Sequence, residues 1–525
     1  MNPVNAGPLI AGLLRPAAYP HPAEAPRLIE THISWVILAG DYAYKLKKPL
    51  DLGFLDFSSL DKRRACCEAE IRLNRRLAPD IYLDVVPVTG TPEAPHIGGA
   101  GAVLEWAVRM RAFPADATLD REAEVTPEQI DAIADRVAEF HRGIAPAPAE
   151  SAFGAPDQVM APVTANFAHI RSLAPPARLL RALESLEAWS RIEGERLTPH
   201  FAARKAGGFV RECHGDLHLG NIAWLPAGDR PRENAGTRIP ANPLIFDAIE
   251  FNPDLRFIDV VNEIAFLTMD LCHRGRDDLA WRVLNRYLEH TGDYPGLAAL
   301  RYYQVYRAMV RAKVAAILAR QHDGDFSDCA GYLDLAGRLA SERRPRLILM
   351  HGVSGSGKTW HSQPLMERLG AVRLRSDVER KRLFGLAALD DSAAVPGGIY
   401  TPEAGLRTLE RLLAQARGLL EAGFSVIVDA TFIRRDWRDP FADLARELDL
   451  AWFIAATEAD PEVLRERVER RRAENRDASE AGLAVLESQL AAREPFSADE
   501  LPHVLRLADG IDAALSRIQA PRNPI

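Results

Sequence analysis

The chain has 525 residues, more than one hydrophobic core usually supports, so its length predicts two or three domains. Its 47% hydrophobic and 26% charged residues are typical of a folded globular protein and argue against disorder or a fibrous repeat. The net charge of −8 provides no overall basic field for nucleic acid, so small-molecule partners are the simpler expectation.

The cysteines and the N-terminus bear on the cellular compartment. Five cysteines are scattered without a CxxC pair, which argues against a disulfide framework or a zinc site and favours a reducing compartment. The first twenty residues have no basic segment before their short, proline-interrupted apolar stretch, so no signal peptide is expected. No apolar run approaches the length of a membrane span. We therefore expect a cytoplasmic protein with no membrane partner.

The N-terminal part is expected to be rich in strands and then in helices. Its patterns indicate a β-hairpin formed by residues 33–38 and 42–48, followed by a charged helix at Asp61–Leu77. Two further strands are predicted at 82–88 and 102–110. Thr126, followed three residues later by Gln129, has the pattern of a capping box and begins a helix-rich region. The segment 226–243, rich in Pro, Gly and Asn, predicts a surface loop.

The stretch CHGDLHLGNIAW contains His214, Asp216 and Asn221 in the spacing HxDxxxxN. Kinases use this spacing to bring the aspartate to the substrate hydroxyl and the asparagine to a metal ion. Further on, the apolar stretch PLIF predicts a strand that ends at Asp247, where kinases have a second metal-binding carboxylate. Two carboxylates and an amide are therefore expected to converge.

This pattern resembles the aminoglycoside phosphotransferases and related protein-kinase-like enzymes that phosphorylate small molecules. The resemblance implies a bilobal α+β fold over residues 28–340, after an extension of residues 1–27. The N-lobe would span about 28–112 and the C-lobe about 113–340. By the same resemblance, the helix ending AEFHRG corresponds to the helix before the catalytic loop.

The resemblance also implies roles for individual residues of the C-lobe. Asp216 would be the base that accepts the proton of the acceptor hydroxyl, and His214 would support the loop. Asn221 and Asp247 would bind Mg²⁺. The Phe-Gly that follows the second aspartate in protein kinases is replaced here by Ala-Ile.

In the N-lobe, Lys45 would be the strand lysine that pairs with the ATP phosphates, and Glu70 of the next helix would be its partner. Lys47 lies on the same face of the strand because side chains alternate, and Glu68 is close to Glu70. Solvated lysines on an edge strand are an equally simple interpretation. A clear Gly-rich nucleotide loop is missing from this half.

A seam is expected at Ser341–Arg346, where a charged, proline-containing stretch precedes a new apolar strand. Beyond it, residues 346–525 alternate apolar strands with helices, which predicts an α/β domain with a parallel sheet. The longest helix should begin after the N-cap Thr401 and end before Gly423. Its apolar positions are Leu406, Leu409, Leu412 and Leu413.

The sequence GVSGSGKT, from Gly352 to Thr359, matches the P-loop pattern GxxxxGK(S/T). Glycines let the backbone turn its N–H groups toward phosphate oxygens, while the lysine contacts the terminal phosphates and the hydroxyl contacts Mg²⁺. The motif follows a predicted strand and begins a helix, which is the context it requires. The predicted ATP-binding residues are Gly352, Ser354, Gly355, Ser356, Gly357, Lys358 and Thr359.

Two aspartates accompany the P-loop. Asp429 ends the apolar strand SVIVD, as the carboxylate that holds the Mg²⁺ shell does in such folds; an ordinary strand-end cap is the alternative. Asp377 follows the second strand and opens a helix. It is therefore either a helix N-cap or the base that accepts the acceptor's proton.

These residues resemble P-loop kinases of the zeta-toxin, gluconate-kinase and polynucleotide 5′-kinase type, with an ATP-binding domain of the AAA type. The resemblance implies an acceptor site formed by Ser376, Asp377 and Arg380, and a lid in the arginine-rich run 465–476. Arg472 is the catalytic candidate among three lid arginines that the sequence does not separate, the others being Arg471 and Arg476. A solvated helix laced with glutamates is the alternative for this run.

The sequence therefore predicts two ATP- and Mg²⁺-dependent kinase modules, each phosphorylating a hydroxyl of a small molecule. One alternative is that one module is a nucleotide-sensing pseudokinase that regulates the other. Another is that the C-terminal module is a toxin-like kinase or a kinase of polynucleotide 5′-hydroxyls, so nucleic acid remains open there. Neither acceptor nor the oligomeric state is indicated by the sequence.

Overall fold

The structure, a computed structural model, describes residues 7–53, 55–225, 243–321, 324–342, 344–392, 395, 397–474 and 478–520, with the backbone alone at 472–474. The chain forms two compact units. Unit 1 comprises residues 1–162 and 201–270, and unit 2 comprises 163–200 and 271–525. Helices within 271–340 thus pack in the same unit as the sheet that follows the predicted seam.

Unit 1 contains a six-stranded antiparallel sheet with the order β1-β2-β3-β6-β4-β5. Its strands are β1 Arg27–Glu30, β2 Ser34–Ala39, β3 Tyr42–Lys47, β4 Tyr82–Thr91, β5 Ala94–Ile97 and β6 Glu105–Arg111. The predicted hairpin is confirmed, because β2 and β3 pair from Ser34↔Lys47 to Ala39↔Tyr42. Helix α2 (Leu60–Asn74) packs against β4 and β6 and buries Cys67 and Ile71 there.

Two short antiparallel pairs in unit 1 frame the HxDxxxxN loop. Strand β7 (Val210–Glu212) pairs with β10 (Phe257–Asp259), and β8 (Ile222–Ala223) pairs with β9 (Leu244–Ile245). The loop leaves β7 and enters β8, and Asp247 follows β9 by two residues. The pairing of β8 with β9 therefore brings the end of the loop beside Asp247.

The helices of the first half of the chain are α1 Pro8–Leu13, α2 Leu60–Asn74, α3 Pro127–Gly143, α4 Pro156–Ser172, α5 Ala177–Ala206 and α6 Val260–His273. The predicted capping box is confirmed, since Thr126 Oγ1 accepts from the Gln129 amide and Gln129 Oε1 accepts from the Thr126 amide. Helix α2 ends three residues earlier than predicted, because the backbone turns at Arg75–Leu77.

Unit 2 contains a five-stranded parallel sheet with the order β12-β13-β11-β14-β15. The strands are β11 Arg346–His351, β12 Ala371–Arg375, β13 Ser425–Asp429, β14 Ala451–Ala456 and β15 Val504–Arg506. Strand β11 is central and wholly apolar from Leu347 to Met350, as expected for a strand covered on both faces. This sheet fits the predicted P-loop α/β domain.

The helices of the second half of the chain lie before, between and after the strands of the parallel sheet. They are α7 Asp277–Thr291, α8 Leu300–Gln321, α9 Ser327–Ala340, α10 Lys358–Leu369, α11 Ser376–Leu383, α12 Pro402–Glu421, α13 Arg435–Glu447, α14 Pro461–Glu474, α15 Leu483–Ala491 and α16 Ile511–Gln519. Helices α10 and α16 pack on the same side of the sheet, where Leu365, Met366, Leu515 and Ile518 join the core.

Several details depart from the sequence expectations or lie beyond them. Helix α12 starts after the Thr401 cap as predicted, but Leu406 is 55% exposed, because the buried stripe runs through Gly405, Leu409 and Leu412 instead. The predicted surface loop at 226–243 lies, except for Pro243, outside the described residues. Among the described residues, none of the five cysteines forms a disulfide bond.

Across the parts of the chain that the structure describes, none of the helices combines the length and the apolar sequence that a membrane span requires.

Candidate active sites

The P-loop of unit 2 turns between the end of β11 at His351 and the start of α10 at Lys358. Gly352, Gly355 and Gly357 have φ angles of 149°, 83° and 91°, a region that side chains with a Cβ rarely adopt. A Cβ at Gly352 would stand 2.5 Å from Ser356 Oγ and 2.8 Å from the Thr457 carbonyl. The glycines of the motif are therefore required by the backbone path.

Polar contacts fix the shape of the loop. The Lys358 ammonium donates to the carbonyls of Gly352 and Val353 at 2.9 and 3.0 Å. Ser356 Oγ lies 2.8 Å from Thr457 Oγ1, which anchors the loop to the end of β14. The Ser354 amide donates to Gln489 Oε1 of α15 at 2.7 Å. Helix α15 therefore contacts a loop amide, a contact that the sequence did not indicate.

Asp429 is the last residue of β13 and is buried at the same edge of the sheet as the P-loop. The register pairs it with Met350 of β11 on one side and with Arg375 of β12 on the other. Its Oδ2 accepts from Ser362 Oγ at 3.2 Å, and Ser362 lies on α10, the helix that the P-loop begins. The predicted strand-end carboxylate thus lies beside the loop.

Asp377 lies in the first turn of α11 and is not its N-cap, because the cap residue is Arg375. Its carboxylate accepts from Arg380 Nη1 at 2.9 Å, so the two predicted acceptor-site residues contact each other. The Arg380 guanidinium lies 4.9 Å from the centre of the Tyr400 ring. Burial, together with the charge of Asp377, raises the pKa of Tyr400 to about 12.

The arginine-rich lid candidate corresponds to α14 and the residues after it. Arg471 donates to the Ala481 carbonyl at 2.9 Å, and Arg467 donates to the Gly355 carbonyl of the P-loop at 3.3 Å. Arg472 belongs to α14, but its side chain lies outside the described atoms, and Arg476 lies outside the described residues. Arg467 is thus the arginine of this run whose contact with the P-loop is described.

In unit 1, the HxDxxxxN loop brings Asp216 and Asn221 together. Asn221 Nδ2 donates to the Asp216 carbonyl at 2.9 Å and to its carboxylate at 3.0 Å. His218 Nε2 lies 3.5 Å from the same carboxylate. His214 is buried and its Nε2 lies 2.8 Å from the Phe246 carbonyl, which ties the loop to the segment that carries Asp247. Burial lowers the pKa of His214 below its usual value.

Both lysines of β3 converge on Glu70 of α2. Lys45 Nζ lies 2.8 Å from Glu70 Oε1, and Lys47 forms an ion pair with Glu70 Oε2. Lys45 also pairs with Asp247, and the fully buried Lys47 pairs with Glu250. The interpretation of solvated lysines therefore does not hold for these residues. The alternative partner Glu68 points elsewhere and pairs with Arg64 at the surface.

Asp247 adopts a φ of +64°, which is uncommon for a residue with a side chain. Its amide donates to Tyr82 Oη at 3.1 Å, and the next amide, of Ala248, donates to Asn74 Oδ1 at 2.8 Å. Burial acts to raise the pKa of Asp247, but the Lys45 ammonium outweighs it and lowers that pKa. The structure thus holds a charged carboxylate against the strand lysine.

Glu263 of α6 is a site residue that sequence reasoning missed. Its two carboxylate oxygens accept from the amides of His214 and Gly215, at 3.0 and 2.7 Å. His141 Nε2 lies 3.1 Å from the same carboxylate. Burial acts to raise the pKa of Glu263, but the contact with His141 and the other hydrogen bonds lower it to about 2. An acid within the apolar run VVNEIAFL was the available signal.

The side chains of His141, Cys213 and Glu263 place potential metal ligands within 4.8 Å of one another. The carboxylate of this group is already hydrogen-bonded to the two amides of the loop. The arrangement is therefore accounted for as an anchor that fixes the backbone of the HxDxxxxN loop.

We predict that Gly352→Ala weakens ATP binding at least ~10-fold, because the new Cβ would collide with Ser356 and the Thr457 carbonyl and force the loop out of shape. Gly337→Ala is the matched control, since Gly337 lies inside helix α9 without a positive φ, and a Cβ there meets none of the described atoms within 4 Å. Calorimetric titration with ATP measures both variants. Equal affinity of the two variants would contradict this account of the loop.

The stability that Glu263 contributes to the fold is expected to depend on pH. The pKa of Glu263 is lowered from 4.5 to about 2, so its stabilising contribution is complete above about pH 4.5 and is lost as the pH falls toward 2. The shift corresponds to roughly 3 kcal/mol. Glu263→Gln should therefore be less stable than the wild type at pH 7, with the difference shrinking toward pH 3.

Urea denaturation at pH 7, 4.5 and 3 measures this pH dependence, with the exposed Glu93→Gln as a control. A stability difference between the wild type and Glu263→Gln that stays constant over the three pH values would contradict the predicted ionisation of Glu263.

Comparisons with known proteins match both parts of the chain. Residues 347–496 match the family model described as an AAA domain, which confirms the predicted AAA-type domain in the C-terminal part. Among solved structures, a gluconokinase from Sinorhizobium meliloti 1021 is 20% identical, with a TM-score of 0.25, over 34% of this chain and 93% of that chain. An ethanolamine kinase from Plasmodium vivax is 10% identical, with a TM-score of 0.33, over 60% of this chain and 82% of that chain.

A full-length relative extends the comparison beyond the C-terminal part. The uncharacterized protein Rv2004c of Mycobacterium tuberculosis (strain ATCC 25618 / H37Rv) is 30% identical over 476 residues, which cover 89% of each chain. That alignment is too long to be confined to either unit, so both units share the relationship. The chain therefore belongs to the same family as this mycobacterial protein.

Proposed function

We propose that the chain is an ATP-dependent phosphotransferase with two modules, each of which transfers the γ-phosphoryl group of ATP to a hydroxyl of a small molecule. One module is the P-loop domain of unit 2. The other is a bilobal, protein-kinase-like module that contains the HxDxxxxN loop of unit 1. The observation that carries the proposal is the P-loop, with Lys358 at its end and Asp429 on the neighbouring strand.

In the P-loop module, the acceptor oxygen would form a bond to the γ-phosphorus while the bond from that phosphorus to the bridging oxygen breaks and ADP leaves. Lys358 would contact the phosphates in place of the two loop carbonyls that it binds in the structure. Asp377 would accept the proton of the acceptor hydroxyl, and the neighbouring Arg380 supports this role by fixing the carboxylate. Positioning and charge neutralisation would supply the rate enhancement.

The residues present in unit 2 fit Mg²⁺, which prefers oxygen ligands. The Thr359 hydroxyl at the start of α10 and the buried Asp429 carboxylate at the end of β13 would hold the ion. When bound, Mg²⁺ would neutralise phosphate charge. In unit 1, Asp247 and the amide oxygen of Asn221 would form the corresponding set of oxygen ligands.

The second module is supported by the side chains that meet around Asp216. The contact between Asn221 and the Asp216 carboxylate fixes the proposed base, and the Glu263 anchor fixes the backbone that carries it. Lys45, held by Glu70, would contact the ATP phosphates after separating from Asp247. Asp216 would then accept the proton of the acceptor hydroxyl as the oxygen bonds to phosphorus.

We predict that the full-length chain, given Mg²⁺, ATP labelled in its γ-phosphate and a metabolite extract, produces two sets of labelled products. Lys358→Ala should reduce one set at least ~100-fold, because it removes a cation that stabilises phosphate charge. Asp216→Asn should reduce the other set to a similar degree, because it removes the base. The surface variants Lys62→Ala and Asp254→Asn are matched controls.

The alternatives produce different outcomes in the same experiment. If all labelled products persist in Asp216→Asn and unit 1 still binds ATP, the result would indicate that unit 1 is a nucleotide sensor. Labelling of an added 5′-hydroxyl oligonucleotide that is lost in Lys358→Ala would make the P-loop module a polynucleotide kinase. Labelling that neither variant reduces would contradict the proposal.

A further inference from the structure

We propose that helix α7, which precedes the P-loop by more than sixty residues in the chain, positions the Asp429 carboxylate of the P-loop site, and that Glu289 is its positioning residue. The inference rests on the proposed function of that site. It extends the site beyond the residues 347–496 that match the AAA domain. It also gives the helix a role in phosphoryl transfer that the motifs do not indicate.

Helix α7 is attached to the free edge of the parallel sheet. Strand β12 is the first strand in the sheet order, so one of its sides has no neighbour among the described strands. The fully buried Asn285 side chain occupies that side: its Nδ2 donates to the Ala371 carbonyl at 3.0 Å, and its Oδ1 accepts from the Arg373 amide at 2.7 Å. One amide side chain thus makes hydrogen bonds that a neighbouring strand would otherwise make, and it fixes the position of α7 along β12.

One turn further along α7, Glu289 binds two arginines of the same strand. Its Oε1 accepts from Arg373 Nη2 at 2.8 Å, and its Oε2 accepts from Arg375 Nη1 at 3.3 Å. The side chains of Glu289 and Arg373 are 11% and 6% exposed. Burial acts to raise the pKa of Glu289, but the two arginines lower it to about 2, so the group is charged at neutral pH.

From Arg373 the network continues to the carboxyl ends of the strands, where the P-loop lies. Arg373 Nη1 donates to Ser362 Oγ at 3.2 Å, and Ser362 Oγ in turn lies 3.2 Å from Asp429 Oδ2. Glu289 thus reaches Asp429 through one guanidinium and one hydroxyl. Arg375, its other partner, directly precedes Ser376 and Asp377. One glutamate of α7 is therefore connected through side chains to Asp429, the carboxylate proposed to hold Mg²⁺, and its other partner, Arg375, lies two positions before the proposed base.

The negative charge of Glu289 is expected to determine which carboxylate the Arg373 guanidinium pairs with. A buried guanidinium that loses its carboxylate partner is expected to pair with another carboxylate, since an unpaired buried charge is unfavourable in free energy. The nearest carboxylate along the network is Asp429. Glu289 therefore keeps Arg373 from pairing with the carboxylate proposed to hold Mg²⁺, and leaves the neutral Ser362 hydroxyl as the contact between them.

We predict that Glu289→Gln raises the Mg²⁺ concentration required for half-maximal ATP binding at the P-loop site ~3- to 10-fold. Binding at that site is defined as the part of the ATP-binding signal that is lost in Lys358→Ala. Glu367→Gln is the matched control: it removes the Arg282–Glu367 ion pair, which also joins α7 to α10 but has no described connection to Asp429. Ser362→Ala should raise the Mg²⁺ requirement in the same direction, and it also tests the network if Glu289→Gln fails to fold.

The double variant Glu289→Gln/Ser362→Ala distinguishes a connected network from two separate defects. If Glu289 acts through Ser362, the effects of the two substitutions on the Mg²⁺ requirement should not add, whereas Glu367→Gln should leave the effect of Ser362→Ala unchanged. A Mg²⁺ requirement in Glu289→Gln and Ser362→Ala equal to that of the wild type would overturn this inference alone. Absence of Lys358-dependent ATP binding in the wild type would overturn the proposed function as well.

Discussion

The common edge at which parallel strands end is the constraint on which the P-loop unit depends. Strands β11, β12 and β13 end within one residue of one another, because the register pairs Asp429 with Arg375 on one side and with Met350, the residue before His351, on the other. Each strand then delivers a different group: the P-loop, the Ser376-Asp377 pair and the strand-end carboxylate. Because the central strand is apolar and covered on both faces, polar chemistry is confined to this edge, which is where ligands bind in open α/β sheets.

Unit 1 assembles its site by a different means, through buried charges. Glu70 binds both Lys45 and Lys47, and each lysine reaches a second carboxylate in the segment after β9. Removing one member of such a group is expected to cost about 3–5 kcal/mol, because a buried charge would lose its partner. The same charges fix the geometry, since the lysines of one strand are tied both to helix α2 and to the segment that carries Asp247.

Sequence reasoning was most successful where local patterns carry the information. The P-loop, the hairpin, the Thr126 capping box and the position of Asp429 each depend on residues close together in the chain. The contacts of Glu263 with the HxDxxxxN loop and of Glu289 with Arg373 join residues 48 and 84 or more positions apart, and neither has a motif. Leu406 was assigned to the wrong face because a run of leucines does not by itself fix the centre of a buried stripe. The domain limits at 340 and 346 stay a prediction, while the contacts group α7–α9 with the P-loop sheet.

The central claim is that the chain contains two nucleotide sites of unrelated architecture. Calorimetric titration of the full-length protein with a non-hydrolysable ATP analogue and Mg²⁺ tests it most directly, through the binding stoichiometry. The account predicts two molar equivalents for the wild type and one for either Lys358→Ala or Lys45→Ala. A wild-type stoichiometry of one, abolished by a single one of these substitutions, would contradict it.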